Sequence, residues 1–572
     1  MEKRWIFKPI PPWEKVQKLA EAINVTGELA QLLVQRNIYD FEEAKIFFRP
    51  QLNQLNDPFL MKNMHKAVQR LQKAINNNER ILIYGDYDVD GTTSVALVYG
   101  FLNKFHKNIE YYIPDRYQEG YGISKKAIEM AKAEGISLVI ALDCGIKSID
   151  NLRYANRLGI DFIICDHHIP GDEMPEAFAI LDPKQRDCSY PFKELSGCGV
   201  GFKFMQAFAE KQKINIEELY DFLDLVVVSI AADLVPIVGE NRVLAYYGLQ
   251  KLNNTKREGL KALIRVAGLK DTAELEIKNL VFGIGPRINA AGRINHAKKA
   301  VQLLLAKTKE EADRIAEIIN LDNITRKTID NQTTIEALEM IAEQNRRSKH
   351  TPKSNVLFKS DWHKGVIGIV ASRCIEKYYK PTIILTEHEG RATGSARSIP
   401  GFDLYKAIEE CSDLLEEYGG HAHAAGLTLK PENIDKFRTK FEAIVAQNIH
   451  DEQLVPQEEI DLKISFDKLT PKFYSILKQF APFGPGNMRP VFVTENLRIE
   501  YIQVLKEKHL KIRVREPETN LCFDALAFGM IDQHEKVAFA KRLDLCYVVE
   551  ENNFMGQTNL QLRVKDIKVR QS

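Results

Sequence analysis

The chain has 572 residues, 45% of them hydrophobic, 27% charged and 9% aromatic, a composition that can bury several cores and is too charged for a membrane protein. Lys plus Arg total 79 and Asp plus Glu 78, for a formal net charge of +1, so no global basic excess announces a polyanionic partner and any such surface has to be local. The eight cysteines are scattered with no Cys-x-x-Cys pair, which argues against zinc and against a disulfide framework and fits a reducing cytoplasm.

In chain order, residues 1–50 read as a helical lead-in ending at Arg49 and Pro50. The opening segment carries charges but no apolar core of signal-peptide length, and the most apolar run, Leu225 to Ala232, is fenced by Asp224 and Asp233. Neither secretion nor membrane insertion is expected. From about residue 80, short apolar runs at 80–85, 108–113, 137–142, 161–165 and 177–181 are separated mostly by helix-like stretches, the signature of a buried parallel sheet in a doubly wound α/β domain. From Arg293 to Thr351 there is no Gly or Pro, and apolar residues recur at helical spacing among charges, which predicts a long helix joining two domains. A second α/β region follows, with strands at 355–358 and 382–385 and helices near 364–378, 403–417 and 433–448. The last region alternates in strand fashion and suggests a small β-barrel. Boundaries are drawn at 1–50, 51–305, 306–350, 351–452 and 453–572.

In an open parallel sheet the carboxyl ends of the strands share one edge, so residues just after each strand converge. Here the first strand runs into Asp86, Asp88 and Asp90, the third into Asp143, the fourth into Asp166, His167 and His168, and the fifth into Asp182, while Asp233 follows the apolar run at 225–232. Clustered carboxylates repel one another unless cations neutralise them, so divalent metal is the simplest account. Asp and His without thiolate favour Mn²⁺ or Mg²⁺, and two ions sharing a carboxylate suit phosphodiester hydrolysis. A lone Asp after a strand is most often a turn former or helix cap, and Asp90 and Asp182, in Asp-Gly and Asp-Pro dipeptides, keep that turn reading. The glycines at 85–91 and 197–201 form no Walker loop, because the chain has no Gly-Lys dipeptide.

At these residues the sequence resembles the DHH phosphoesterase superfamily, and within it the exonucleases specific for single strands. The likeness rests on the acids at 86–91, Leu142 to Gly145, Asp166 to His168, Ala231 to Pro236, Gly285 to Arg293, Trp362 to Val370 and Gly419 to Gly426, in order along the chain. The resemblance implies a DHH catalytic domain, a DHHA1 substrate-binding domain and an OB-like barrel that binds nucleic acid. It implies that Asp86, Asp88, Asp143, His167 and Asp233 hold the metals, with Asp143 bridging, and that His168 contacts the scissile phosphate beside the catalytic Asp88 and Asp143. Superfamily members often carry a histidine four residues before the first acid; Leu82 stands there, which leaves one ion with fewer protein donors. Arg116, Arg287, Arg293, Ser395, Arg397 and His421 become candidates for gripping a 5′-phosphate or the strand, since a guanidinium fork holds phosphate oxygens bidentately, and Tyr121 for stacking on a base.

The barrel adds a reading of its own: Lys511, Arg513 and Arg515 alternate with Leu510, Ile512 and Val514, placing three cations on one strand face suited to sequence-independent phosphate contact. The loop 482–487, rich in Pro and Gly, is expected at the barrel's entrance, without a legible role. The implied activity is a 5′→3′ exonuclease releasing 5′-mononucleotides from single-stranded DNA in recombination and repair, including mismatch repair. It would be a cytoplasmic monomer needing a free 5′ end, with single-strand-binding protein and a helicase as partners. The alternatives are a DHH phosphodiesterase of short oligonucleotides or cyclic dinucleotides, and a non-catalytic replication-fork scaffold.

Overall fold

The computed structural model describes residues 2–272, 274–347, 350–554 and 557–570. The chain separates into two units, Met1–Ile6 with Leu321–Glu458, and Phe7–Asn320 with Glu459–Ser572. The lead-in opens on a strand, β1 (Arg4–Phe7), rather than a helix, and Arg4 N–H donates to Pro456 O at 2.8 Å. The helices Trp13–Ile23, Gly27–Val34 and Phe41–Phe48 then follow as expected.

Five strands form a parallel sheet: β2 (Ile81–Gly85), β3 (Ile109–Tyr112), β4 (Leu138–Leu142), β5 (Asp161–Cys165) and β6 (Ala179–Leu181), in the order β3-β2-β4-β5-β6. Alternate side chains serve alternate faces. Ile81, Ile83, Leu138 and Ile140 pack with the helices Met64–Asn76, Val89–Leu102 and Gly197–Gln212. Leu82, Tyr84, Val139 and Ala141 pack with Lys125–Ala133 and Ile149–Arg157. Helices on both faces make the sheet doubly wound, and strand order reverses between β2 and β4, which opens a crevice at the carboxyl ends of those two strands.

The stretch free of Gly and Pro is not one helix. It is divided among Gly285–Ile294, Lys298–Leu304 and a 39-residue helix, Lys309–Arg347. The Thr308 hydroxyl accepts from Glu311 N–H at 3.2 Å and caps the long helix where the residue pattern shows no break. Ser348 and Lys349, at its expected far end, lie outside the described residues. The unit containing residues 321–458 is built on a sheet in the order β10-β11-β9-β8-β7, from β7 (Asn355–Phe358), β8 (Thr382–His388), β9 (Arg391–Arg397), β10 (Glu417–His421) and β11 (Ala424–Leu429). Of its three expected helices, Ile367–Tyr378 and Ile434–Asn448 run nearly their full length, whereas Leu404–Glu409 ends early and gives way to β10.

After β12 (Gln457–Ile460) and β13 (Leu462–Lys463), the strands β14 (Phe492–Leu505), β15 (His509–Arg515), β16 (Cys522–Ala527), β17 (Arg542–Phe554) and β18 (Gln557–Arg570) close on themselves, because β14 pairs with both β15 and β17. Closure leaves the barrel no free edge. Its core is shared with the N-terminal helices: Val16, Leu29, Leu33 and Phe47 join Phe473, Phe480, Phe492 and Leu510 in one cluster. Arg242, 5% exposed on the helix Gly239–Asn253, ties this cluster to the region of the parallel sheet. Its guanidinium lies 3.8 Å from the Phe47 ring centroid and donates to Phe47 O, Phe480 O and Ala481 O at 2.9 to 3.1 Å.

Arg242→Met keeps the stem but strands three buried carbonyls, and is expected to cost about 2–4 kcal/mol. The readout is an earlier first transition on thermal unfolding, with proteolytic release of the region from residue 459 onward; an unchanged profile would remove Arg242 as the tie.

Candidate metal centre

Each acid reaches the crevice by a different local device. Asp86 follows β2 directly, and Asp88 caps the helix Val89–Leu102, its Oδ1 accepting Gly91 N–H at 3.0 Å. Gly91 is required there: a Cβ at this position would fall 2.3 Å from Asp86 O, so only glycine lets the first helical turn lie against the strand end. Asp143 follows β4 in a left-handed conformation, φ 60°, with its N–H donating to Cys165 O at 2.8 Å. Gly197 makes room for it, since a Cβ at that position would lie 2.7 Å from Asp143 Oδ1. Asp233 arrives from a helix rather than a strand: the apolar run forms Leu223–Ala232, and Asp233 is its C-terminal cap residue.

These groups meet. His167 Nε2 lies 3.2 Å from Asp143 Oδ1, 3.6 Å from Asp233 Oδ2 and 3.7 Å from Asp90 Oδ2. Asp86, Asp88 and Asp143 form one group of donor atoms within 4.8 Å of one another, Asp143, His167 and His168 a second, and Asp90, His167 and Asp233 a third. Burial, reinforced by neighbouring carboxylates, pushes Asp86, Asp88 and Asp143 above the ordinary carboxylate range and Asp233 up to about 8. Burial also holds the His167 imidazole below its usual value. Asp86 Oδ1, Asp143 Oδ1 and both His167 ring nitrogens are buried with no hydrogen-bond partner. Buried polar atoms without protein partners fit coordination to a cation, and oxygen donors with one imidazole suit Mn²⁺ or Mg²⁺. Burial keeps the adjacent Cys144 thiol protonated, so no thiolate competes. Leu82 points away into the far-face core and offers nothing to the ions.

Two residues outside the expected ligand set organise the site. Asp90 does not form a turn. It lies in the first turn of Val89–Leu102, 1% exposed, and accepts from Gly197 N–H, Cys198 N–H and Ser229 Oγ–H, each at 2.7 Å. One carboxylate thus joins three helices, the last of which carries Asp233. The Asp-Gly dipeptide suggests a turn because its helix-binding partners lie over 100 positions away; the only signal is Ser196 before a string of small residues, a cap for the helix Gly197–Gln212. Asp166 is the other organiser: it accepts from Ile146, His167 and His168 N–H and from His168 Nδ1 at 2.7 Å. Burial opposes its charge, but these bonds win and bring it down to about 2, and against burial they lift His168 to about 9. Asp182 does take the expected turn, accepting Lys184 N–H at 2.7 Å.

The remaining candidates separate. Tyr121 is exposed and its hydroxyl lies 3.3 Å from the His168 ring nitrogens, at the rim of the cluster. Arg116 stacks over Tyr87 at 4.7 Å and its charge reaches Asp86, and Arg293 acts on the same tyrosine. Arg287 does not fit the phosphate-gripping role: its Nε, Nη1 and Nη2 donate to Asn320 Oδ1, Gly283 O and Val266 O, holding its own helix in place. In the other unit, Ser395 and Arg397 sit on β9 joined by a 3.1 Å bond, and both press on Gly368 in the first turn of Ile367–Tyr378, where a Cβ would come within 2.8 Å of Arg397 Nη2. His421 ends β10, exposed, with its Nδ1 accepting His423 N–H. On the barrel Lys511, Arg513 and Arg515 do share the outer face of β15, but Lys511 and Arg513 pair with Asp524 and Arg515 with Glu500. The face is therefore not a free basic strip.

Family models match at residues 80–230 (DHH family, N-terminal domain), 353–447 (DHHA1 domain) and 460–566 (RecJ OB domain). The single-stranded-DNA-specific exonuclease RecJ of Bacillus subtilis is 37% identical over 99% of this chain and 71% of its own, and the Escherichia coli protein of that name is 34% identical over 89% and 90%. The crystal structure of RecJ from Thermus thermophilus in complex with Mn²⁺ superposes with a TM-score of 0.85 at 26% identity, covering all of this chain and 80% of that one; a Mg²⁺ complex from the same organism gives 0.79 at 25% identity, covering all and 79%.

Because burial and neighbouring carboxylates push Asp233 up to about 8, Mn²⁺ binding at pH 7 is expected to release protons, and affinity to weaken as pH falls. Calorimetry in buffers of different ionisation enthalpy measures that number; a value of zero would contradict the electrostatics described.

Proposed function

The chain belongs to the RecJ family of single-stranded-DNA-specific exonucleases, and on that premise we propose that it removes 5′-mononucleotides from single-stranded DNA in the 5′→3′ direction during recombination and repair. The observation that carries this reading is the convergence of Asp86, Asp88, Asp143, His167 and Asp233 with buried donor atoms left unpartnered. These residues would hold Mn²⁺ or Mg²⁺, two ions in all. When bound, the ions activate water and stabilise the leaving oxygen.

The chain's own groups supply the rest. His168 remains protonated at neutral pH because Asp166 holds its Nδ1, so its other ring nitrogen can donate to a non-bridging phosphate oxygen. Tyr121, over that ring, offers an aromatic face to the terminal base. Arg116 places positive charge near Asp86, and Arg293 adds to it beside Tyr87, favouring approach of the anionic strand. Ser395 and Arg397, at the first turn of a helix, combine a hydroxyl, a guanidinium and a helix dipole, the chemistry that grips a terminal phosphate. The barrel's β15 face contributes cations that exchange Asp524 and Glu500 for DNA phosphates, which makes strand binding salt-dependent. No helix among the described residues is long and apolar enough to cross a membrane. We place the protein in the cytoplasm as a monomer, handed its strand by a helicase or a single-strand-binding protein.

A 5′-phosphorylated, 3′-labelled single strand with Mn²⁺ tests the reading. Progressive shortening from the 5′ end is expected, abolished by EDTA, with a fall of about 10³-fold or more in kcat for Asp88→Ala and retained DNA binding. Cleavage confined to dinucleotides, or binding without cleavage, would overturn it. His168→Ala should lower kcat by about 10²-fold with little change in Mn²⁺ affinity; a large loss of metal binding instead would make His168 a ligand rather than a phosphate donor.

A further inference from the structure

The loop 482–487 of the barrel region is placed against the segment that follows Asp233, and the contacts are backbone-close. Pro485 O accepts Ile237 N–H at 2.6 Å. A Cβ at Gly484 would lie 2.6 Å from Ile237 Cγ1, and one at Gly486 would lie 3.1 Å from Val238 Cγ1 and 3.3 Å from Pro236 Cβ. Ile237 is fully buried at this contact. The loop itself is fixed from behind. Arg242 binds Phe480 O and Ala481 O, Arg36 Nε donates to Asn487 Oδ1 at 2.9 Å, and Arg489 donates to both Glu276 carboxylate oxygens at 2.8 Å. Asn487 closes the loop on itself by donating to Phe480 O and Pro482 O.

Between Asp233 and this contact lies a strained residue. Leu234 adopts φ 57° with its side chain exposed, a left-handed conformation that non-glycine residues rarely adopt and that persists only where the surroundings dictate it. Upstream, Asp233 N–H is held by Ser229 O at 2.9 Å; downstream, Pro236 O accepts from Asn241 and Ile237 N–H is held by Pro485 O. The segment is clamped at both ends, and the downstream clamp includes the barrel region's loop.

We propose that this loop is a positioning strut for the metal ligand Asp233: by seating Ile237 it keeps Leu234 in its strained conformation and thereby fixes where the Asp233 carboxylate stands relative to His167. The barrel then serves metal binding as well as strand binding. The proposal rests on the nuclease reading for its consequence in turnover, but its structural claim is read directly from metal affinity.

A double-mutant cycle on Gly484 and Ile237 tests it. Gly484→Ala crowds Ile237, and Ile237→Ala empties its seat, whereas the pair together restores the fit. Mn²⁺ affinity is measured by electron paramagnetic resonance of the free ion, and single-stranded DNA binding in EDTA on the same preparations. Each single variant is expected to bind Mn²⁺ at least tenfold more weakly with DNA affinity within twofold of the wild type, and the double variant to return within threefold of wild-type Mn²⁺ affinity. Should Gly484→Ala fail to fold, Ile237→Ala against the double variant makes the same comparison. Unchanged Mn²⁺ affinity in the singles, or no recovery in a folded double variant, overturns the strut. A wild-type protein that binds Mn²⁺ yet leaves single-stranded DNA intact overturns the nuclease reading and leaves the strut standing.

Discussion

One electrostatic constraint governs the catalytic edge: more carboxylates are brought around a buried imidazole than that imidazole could neutralise. Two unit charges about 4 Å apart repel by about 1 kcal/mol in water and by about 4 kcal/mol near a protein surface. Such a cluster would not persist unless the backbone held it independently of the charges. The fold does this through backbone and packing: a left-handed residue at Asp143, glycines at 91 and 197 that permit contact without a Cβ, and the bonds by which two backbone N–H groups and a serine hydroxyl hold the Asp90 carboxylate in place. The positions of these acids are thus set by the backbone rather than by the charges they gather.

The same separation of roles runs through the histidine pair. Asp166 stands at a strand end beside two histidines, and its carboxylate is taken up by bonds within its own loop and to Ile146. The two imidazoles differ in character: burial holds His167 below its usual value although Asp166 pulls the other way, whereas Asp166, bonded to the His168 ring, lifts His168 against burial to about 9. Two adjacent residues of one type acquire opposite chemistry from what surrounds them.

Much of this is legible in the residue pattern because it depends on short-range order. The five strands of the catalytic sheet announce themselves as apolar runs, and the acids that follow them converge because parallel strands share an edge. What the pattern hides depends on partners distant in sequence. Arg287 resembles a phosphate grip until the carbonyls of Val266 and Gly283 are seen to claim it. The cations of β15 look available until β16 supplies Asp524 beside them. The long helix begins where Thr308 caps it, a local device hidden in a stretch without glycine or proline. Asp90 misleads for the opposite reason: its neighbour Gly91 is there for close packing, and the pair imitates a turn.

The shared core of the N-terminal helices and the barrel also bears on how the chain is made. Gln479 is the hydrogen-bond partner of Arg49, 430 positions earlier, and Phe47 packs its ring edge-to-face with Phe480. At roughly 5–20 residues per second, a ribosome delivers the second half of that core about 20–90 s after the first. The apolar faces of the opening helices therefore wait uncovered through most of translation, a natural substrate for chaperones stationed at the ribosome, and a truncated nascent product would carry them exposed.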